Sequence, residues 1–166
     1  MKKIAAALLF STFAAGSAVA ADGKKSIGVS YGLDQNGVFG IQGEFDISSL
    51  VKNAPVSAQA FWKNYSQSYS RTAGTYQYSY TGFGAAAIYD FGSVVKQDKK
   101  IRPYAGLGLY TLSNTLSGPA APFNVSADSG GIYVTGGVRY AASPEFSADL
   151  NYNNIGRVTI GANFYF

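Results

Sequence analysis

Apolar and polar residues alternate with period two along most of the chain, between turn signals, and helical spacing is nearly absent, so the sequence predicts strands. The first strand sets Ile27, Val29, Tyr31 and Leu33 against Ser26, Gly28, Ser30 and Gly32. Asp34-Gln35-Asn36-Gly37 follows, and Asn-Gly is a strong hairpin signal because the matching turn needs positive φ. The second strand sets Phe39, Ile41, Phe45 and Ile47 against Gln42, Glu44 and Asp46, before a turn over Ser48 to Pro55. Strands three, near Val56 to Tyr69, and four, near Thr75 to Phe91, are longer and less regular. Their short link, Arg71-Thr72-Ala73-Gly74, predicts a hairpin projecting beyond its neighbours. In strand four, Tyr76, Tyr78 and Tyr80 share one parity, whereas Phe83, Ala85, Ala87, Tyr89 and Phe91 share the other. A bulge near Thr81 and Gly82, or an upper half standing clear of a membrane, would each account for the switch.

Strand five places Pro103, Ala105, Leu107 and Leu109 opposite Arg102, Tyr104, Gly106, Gly108 and Tyr110. Ser113 to Gly130, rich in Ser, Gly and Pro, reads as the longest connection. Strand six sets Ile132, Val134, Val138 and Tyr140 against Tyr133, Thr135, Gly137 and Arg139; Ser143-Pro144-Glu145 turns the chain. Strand seven pairs Phe146, Ala148, Leu150 and Tyr152 with Ser147, Asp149, Asn151 and Asn153. Strand eight sets Val158, Ile160, Ala162, Phe164 and Phe166 against Arg157, Thr159, Gly161, Asn163 and Tyr165. The expected fold class is all-β: an eight-stranded up-and-down antiparallel barrel.

Alternation alone does not say whether the apolar parity lines a core, as in a soluble lipocalin-like barrel, or faces lipid. Small polar residues on the other parity of strand one suit a crowded lumen better than a solvated surface. Aromatics gather at two levels of the apolar parity, Tyr31, Phe39 and Tyr152 at one rim and Phe45, Phe91, Tyr140, Phe146, Phe164 and Phe166 at the other. Paired aromatic girdles mark lipid–water boundaries. Strand eight, from Val158 to Phe166, spans roughly 20 Å once tilted, near the apolar band of about 25 Å in membrane barrels. The fold is therefore read as a transmembrane β-barrel.

The start of the chain agrees with export. Lys2 and Lys3 precede an apolar stretch from Ile4 to Ala15, and Ala18 and Ala20 form a small-x-small exit before Ala21. These are the parts of a cleaved signal peptide over residues 1–20, and the apolar run is too short for a spanning helix. Residues 21–166 then form the barrel domain, and the expected location is the bacterial outer membrane.

Composition narrows the chemistry. The chain of 166 residues has no Cys and no His, which removes disulfides, thiol chemistry and imidazole catalysis. Charged residues are only 13% of the chain, against 13 Tyr and 11 Phe. The formal charge of +4 includes the two leader lysines, and the densest remaining run, Lys96, Lys99 and Lys100, is broken by Asp98 in a turn. No basic face of the kind that binds nucleic acid is present. Gly82-Phe83-Gly84-Ala85-Ala86-Ala87 superficially matches a dinucleotide fingerprint, but a strand continues where a helix is required. No catalytic, cofactor-binding or metal-binding residues are assigned. A His-independent enzyme and a soluble periplasmic carrier are lower alternatives.

The last residues, Thr159, Gly161, Phe164 and Phe166, resemble the carboxy-terminal insertion signal of bacterial outer-membrane barrels. With the leader, the strand plan and the Arg102-Pro103-Tyr104-Ala105-Gly106-Leu107-Gly108 and Gly137-Val138-Arg139-Tyr140 stretches, the chain resembles the small eight-stranded barrels of the OmpA membrane domain, OmpX and opacity type. That resemblance implies reading of the last strand by the barrel-insertion machinery, and a surrounding of outer-membrane lipid and lipopolysaccharide.

Two groups of side chains are candidates for function. Glu44, Asp46, Lys63, Arg102, Arg139, Asp149 and Arg157 are expected in the lumen as a charge network, since ionised groups in a narrow barrel must be paired. An eight-stranded barrel is just wide enough to be filled by side chains, so the network reads as a structural plug, with a narrow pore or lateral conduit for small solutes as the alternative. Tyr65, Tyr69, Tyr76, Tyr78 and Tyr80 are expected on an extracellular aromatic fin, where exposed edges and rings can bind a partner. The functional expectation is an integral outer-membrane barrel with a structural or surface-interaction, adhesion-like role.

Overall fold

The computed structural model describes residues 25–33, 37–52, 54–72, 74–93, 100–118 and 125–166. The expected leader, the Asp34 to Asn36 part of the first turn and the Lys96 to Lys99 run lie outside the described residues. Eight strands follow in order: β1 (Lys25–Gly32), β2 (Phe39–Asp46), β3 (Val56–Arg71), β4 (Gly74–Asp90), β5 (Ile101–Ser117), β6 (Val125–Ala141), β7 (Phe146–Asn153) and β8 (Arg157–Tyr165). Each pairs antiparallel with its sequence neighbours, and β1 closes onto β8, so no edge is left within the ring. Backbone groups crossing a bilayer have no water to bond, and closure is how a sheet meets that demand. Among the described residues no helix is long and apolar enough to cross a membrane.

The packing is inverted relative to a water-soluble barrel. Leu107, Leu109, Ile132, Leu150, Tyr152 and Phe164 are each more than half exposed, whereas Ser26, Glu44, Arg139, Asp149, Asn153 and Thr159 are buried. In water such a surface would be strongly unfavourable, at about 25 cal/mol for each Å² of apolar area. In lipid it is the matching surface. Of the expected girdle residues, Tyr31 pairs with Phe39 and Phe146 with Phe164; Trp62, which was not among them, meets Phe39 edge-on at 6.3 Å.

One open alternative is decided and one expectation is corrected. Register through β3–β4 and β4–β5 is unbroken, so strand four contains no bulge. Its even positions face inward throughout, and Tyr76 and Tyr78 lie above the ring. The tall element is also a four-stranded sheet, not a single hairpin: β3 to β6 have 16 or 17 residues, against 8 or 9 in β1, β2, β7 and β8. Much of the Ser113 to Gly130 segment, expected as a loop, is strand, paired from Ser113↔Asp128 to Leu116↔Val125. Beyond Asn64, β3 extends by a further seven residues, roughly 18 Å of tilted strand.

Candidate functional site: a polar lumen beneath a two-faced sheet

The inward side of β7 positions the lumen network. Asp149, Asn151 and Asn153 occupy alternate places on one short strand, and pleating stacks them up the barrel axis. Lys63 Nζ donates to Asn153 Oδ1 at 2.6 Å, Asn153 Nδ2 to Asn151 Oδ1 at 3.0 Å, and Asn151 Nδ2 to Asp149 Oδ1 at 2.8 Å. Arg139 then bridges two carboxylates, through Nε to Asp149 Oδ2 at 3.3 Å and through Nη1 and Nη2 to Glu44 at 2.9 and 2.6 Å. The Tyr104 hydroxyl donates to Asp149, and the Tyr104 ring lies 4.4 Å from the guanidinium carbon.

Both amides point their oxygens toward the ammonium and their NH2 groups toward the carboxylate. Their dipoles thus link Lys63 to Asp149 without direct contact, and the two bases balance the two acids. Lys63 also lies 5.6 and 5.4 Å from the rings of Phe61 and Tyr133, which supply further cation stabilisation.

The remaining members of the expected network lie elsewhere. Arg102 pairs with Asp90 near the end of the barrel where Lys25 meets Phe166, and its side chain is 40% exposed. Asp46, half-buried at the same end, accepts the backbone N–H of Ser48 at 2.7 Å. Arg157, the first residue of β8, is exposed and has a positive φ of 53° where the strand leaves the β7–β8 turn, so its side chain takes no part in the network. Four of the seven charges therefore form one network. The residues that join them, Asn151, Asn153 and Tyr104, were visible in the sequence only as polar-parity positions, and Asp90 lay at the end of an irregular strand.

Buried side chains gather at the far end of the lumen. Asn153 Oδ1 also accepts the backbone N–H groups of Ile155 and Gly156, at 3.3 and 2.7 Å, which turns Ile155 into the mouth. Val38, Tyr65, Tyr80 and Ile155 are all buried there, Tyr65 and Tyr80 stack at 5.2 Å, and the Tyr80 hydroxyl bonds Ile155 O at 3.4 Å. Tyr65 and Tyr80, expected on display, are thus part of the closure. Of the expected fin tyrosines, Tyr69 and Tyr78 are exposed and Tyr76 is partly so.

Above the ring the sheet has two unlike faces. On the face continuous with the barrel exterior, Trp62, Phe83, Thr111 and Gly130 share a row, and apolar side chains give way there to polar ones. The next row is Asn64, Thr81, Ser113 and Asp128, and the one above is Ser66, Ser79, Thr115 and Ser126. The opposite face carries Tyr69, Tyr76, Tyr78, Leu112 and Leu116, and Tyr78 donates to Asn114 Oδ1 at 3.0 Å. The outer edge of β6 is capped at ring level by Asn154, which accepts Val134 N–H at 3.0 Å and donates to Ile132 O at 2.7 Å. Higher up, β6 has no strand partner on that side, and neither has β3 beyond Asn64, among the described residues.

Of the expected insertion signal, Thr159 is buried and donates to Asn151 Oδ1 at 2.6 Å. Gly161 lies against the β1 backbone, where a Cβ would come within 2.7 Å of Val29 O. Phe164 and Phe166 face outward and stack at 6.5 Å. Among the described residues no cluster of acidic side chains could hold a metal ion.

A closed eight-stranded sheet, apolar outside and hydrogen-bonded within, defines a transmembrane barrel protein. The sequence matches the family model of the outer membrane protein beta-barrel domain over residues 4–164, and the chain belongs to that family. Its location is the bacterial outer membrane. Among solved structures it is similar to Ail, the attachment invasion locus protein of Yersinia pestis, in complex with the heparin analogue sucrose octasulfate. That match has a TM-score of 0.60 at 15% identity, covering 87% of this chain and 99% of that one. Neisserial surface protein A matches with a TM-score of 0.55 at 20% identity, covering 87% and 96%. The N-terminal β-barrel domain of Pseudomonas aeruginosa OprF matches with a TM-score of 0.56 at 15% identity, covering 87% and 100%. At these identities the likeness is one of fold. No curated protein matches the sequence.

Proposed function

We propose that this protein is a non-conducting surface protein of the outer membrane, in which the barrel is an anchor and the tall four-stranded sheet makes the external contacts. The observation that carries this reading is the pairing of a closed lumen with a sheet standing on one end of it. A solute entering at the far mouth would have to displace Ile155 and the Tyr65–Tyr80 stack, then break a continuous chain of hydrogen bonds. Tall extensions of outer-membrane barrels stand on the extracellular side, which directs the sheet away from the cell. Its two open edges and exposed tyrosines suit strand addition or ring stacking by a partner, an adhesion-like role. Ail, the attachment invasion locus protein, has a similar fold.

A narrow pore is the rival reading, and conductance separates the two. The refolded protein in a planar bilayer is expected to give no reproducible single-channel steps; regular steps would overturn the anchor reading.

A further inference from the structure

We infer that the hydroxyl-bearing face of the tall sheet is a contact surface for the oligosaccharide of the glycolipid in which the barrel sits. This inference rests on the outward orientation proposed above. The face is not a separate patch: it is the lipid-facing wall of β3 to β6 carried upward in the same register. What covers it is therefore whatever lies directly above the acyl chains. In a glycolipid leaflet that layer is sugar.

The chemistry of the rows selects among parts of that layer. Phosphate groups call for Lys or Arg, because charge-assisted bonds from cations are what recognise them. Among the described residues, the sole charged side chain in the two polar rows is Asp128, an acid. Ser66, Ser79, Thr115 and Ser126 instead present short uncharged hydroxyls that both donate and accept, as sugar hydroxyls do. Ser66 and Ser126 are exposed, and the other two partly so. Water alone does not account for the pattern, since both faces stand above the ring. The reverse face, at the same height, carries Tyr78, Leu112 and Leu116, and its amides Gln67 and Asn114 accept hydrogen bonds from the hydroxyls of Tyr69 and Tyr78.

The experiment compares the refolded barrel in nanodiscs of lipopolysaccharide with a complete core oligosaccharide, of core-truncated lipopolysaccharide, and of phospholipid alone. Amide hydrogen exchange over residues 64–70 and 111–117 is expected to slow about threefold to tenfold with the complete core, the factor of one weak hydrogen bond. The Ser66→Ala, Ser79→Ala, Thr115→Val, Ser126→Ala variant should lose that difference, and Tyr69→Ala with Tyr76→Ala on the reverse face should keep it. Thr81→Val with Thr111→Val, which removes hydroxyls at nearly constant shape, should reduce it should the fourfold variant not refold. Equal exchange in complete-core and truncated discs, or full protection in the hydroxyl variants, overturns the inference. Equal protection by free core oligosaccharide added to phospholipid discs also overturns it, by pointing to a soluble glycan. Orientation is read separately: the chain has no Cys, so Thr72→Cys offers a single site for an impermeant maleimide on intact cells. Labelling there with no core dependence sinks this inference alone, whereas no labelling sinks the outward orientation as well.

Discussion

Replacing Arg139 by Met tests whether the lumen is held by a balanced charge network or merely filled. Arg139 is 3% exposed and makes three N–H bonds to two carboxylates, themselves 8% and 4% exposed. Methionine roughly fills the stem volume but leaves Glu44 and Asp149 with no cation beside them, and Lys63 reaches Asp149 only through two amides. Breaking a buried pair by removing one partner costs about 3–5 kcal/mol, a factor of roughly a hundred to a few thousand in the folded fraction. The assay is urea unfolding of the barrel in phospholipid vesicles, followed by fluorescence of Trp62, the sole tryptophan. A second variant, Arg139→Met with Glu44→Gln and Asp149→Asn, removes the orphaned charges as well. It is expected to recover at least about 1–2 kcal/mol of the loss, since a network replaced as a whole costs less than one broken in the middle. A cost below about 1 kcal/mol for Arg139→Met, or a triple variant no better than the single one, would refute the network argument.

Asn153→Ala removes the acceptor of Lys63 Nζ and of two turn N–H groups, and is expected to cost about 2–4 kcal/mol in the same assay; a neutral result would show that the β7–β8 turn holds the mouth shut unaided. Gly108→Ala is expected to abolish the heat-modifiable folded band on a denaturing gel, because its Cβ would lie 2.0 Å from Ala85 O and 2.5 Å from Ala86 Cα. Gly136→Ala, with nothing nearer than Tyr104 O at 3.6 Å, should retain that band. Leu107→Arg, on the lipid-facing wall, is expected to cost about 2–4 kcal/mol, falling to about 0–1 kcal/mol for Thr115→Arg above it. Equal costs would place the membrane boundary elsewhere than the row of Trp62 and Phe83.

The ring was legible because lipid enforces one rule on every strand that crosses it. Where β1, β2, β7 and β8 cross, each outward position must be apolar, so Ile27 to Tyr31 or Phe146 to Tyr152 reads as a strand almost to the residue. That constraint ends at the rim. Thr111, Ser113, Thr115 and Ser117 still alternate with Leu112, Asn114 and Leu116, and this period-two signal marks the strand that the Ser and Gly content disguised. The parity switch in strand four has the same origin: below Gly82 in the barrel the outward set is apolar, above it the inward set is aromatic, and the register never slips. Charges were harder to place, because parity gives the side a residue faces but not its height or its partner. Arg102, Arg139 and Asp149 share the inward parity and even one register row, yet Arg139 bonds Asp149 whereas Arg102 turns to Asp90.

What joins the charges is also what the sequence hid most completely. Asparagines are common in turns, and a pair spaced by two on a short strand carries no distinctive signal. In this barrel their position between Lys63 and Asp149 lets two opposite charges at different heights in the lumen neutralise each other, each amide passing the interaction on by orientation. The same Asn153 oxygen holds the turn that inserts Ile155, so the compensation of the buried lysine and the closure of the mouth rest on one side chain. A lumen organised in this way is stabilised as a unit, and the sheet above it stands on a rigid base.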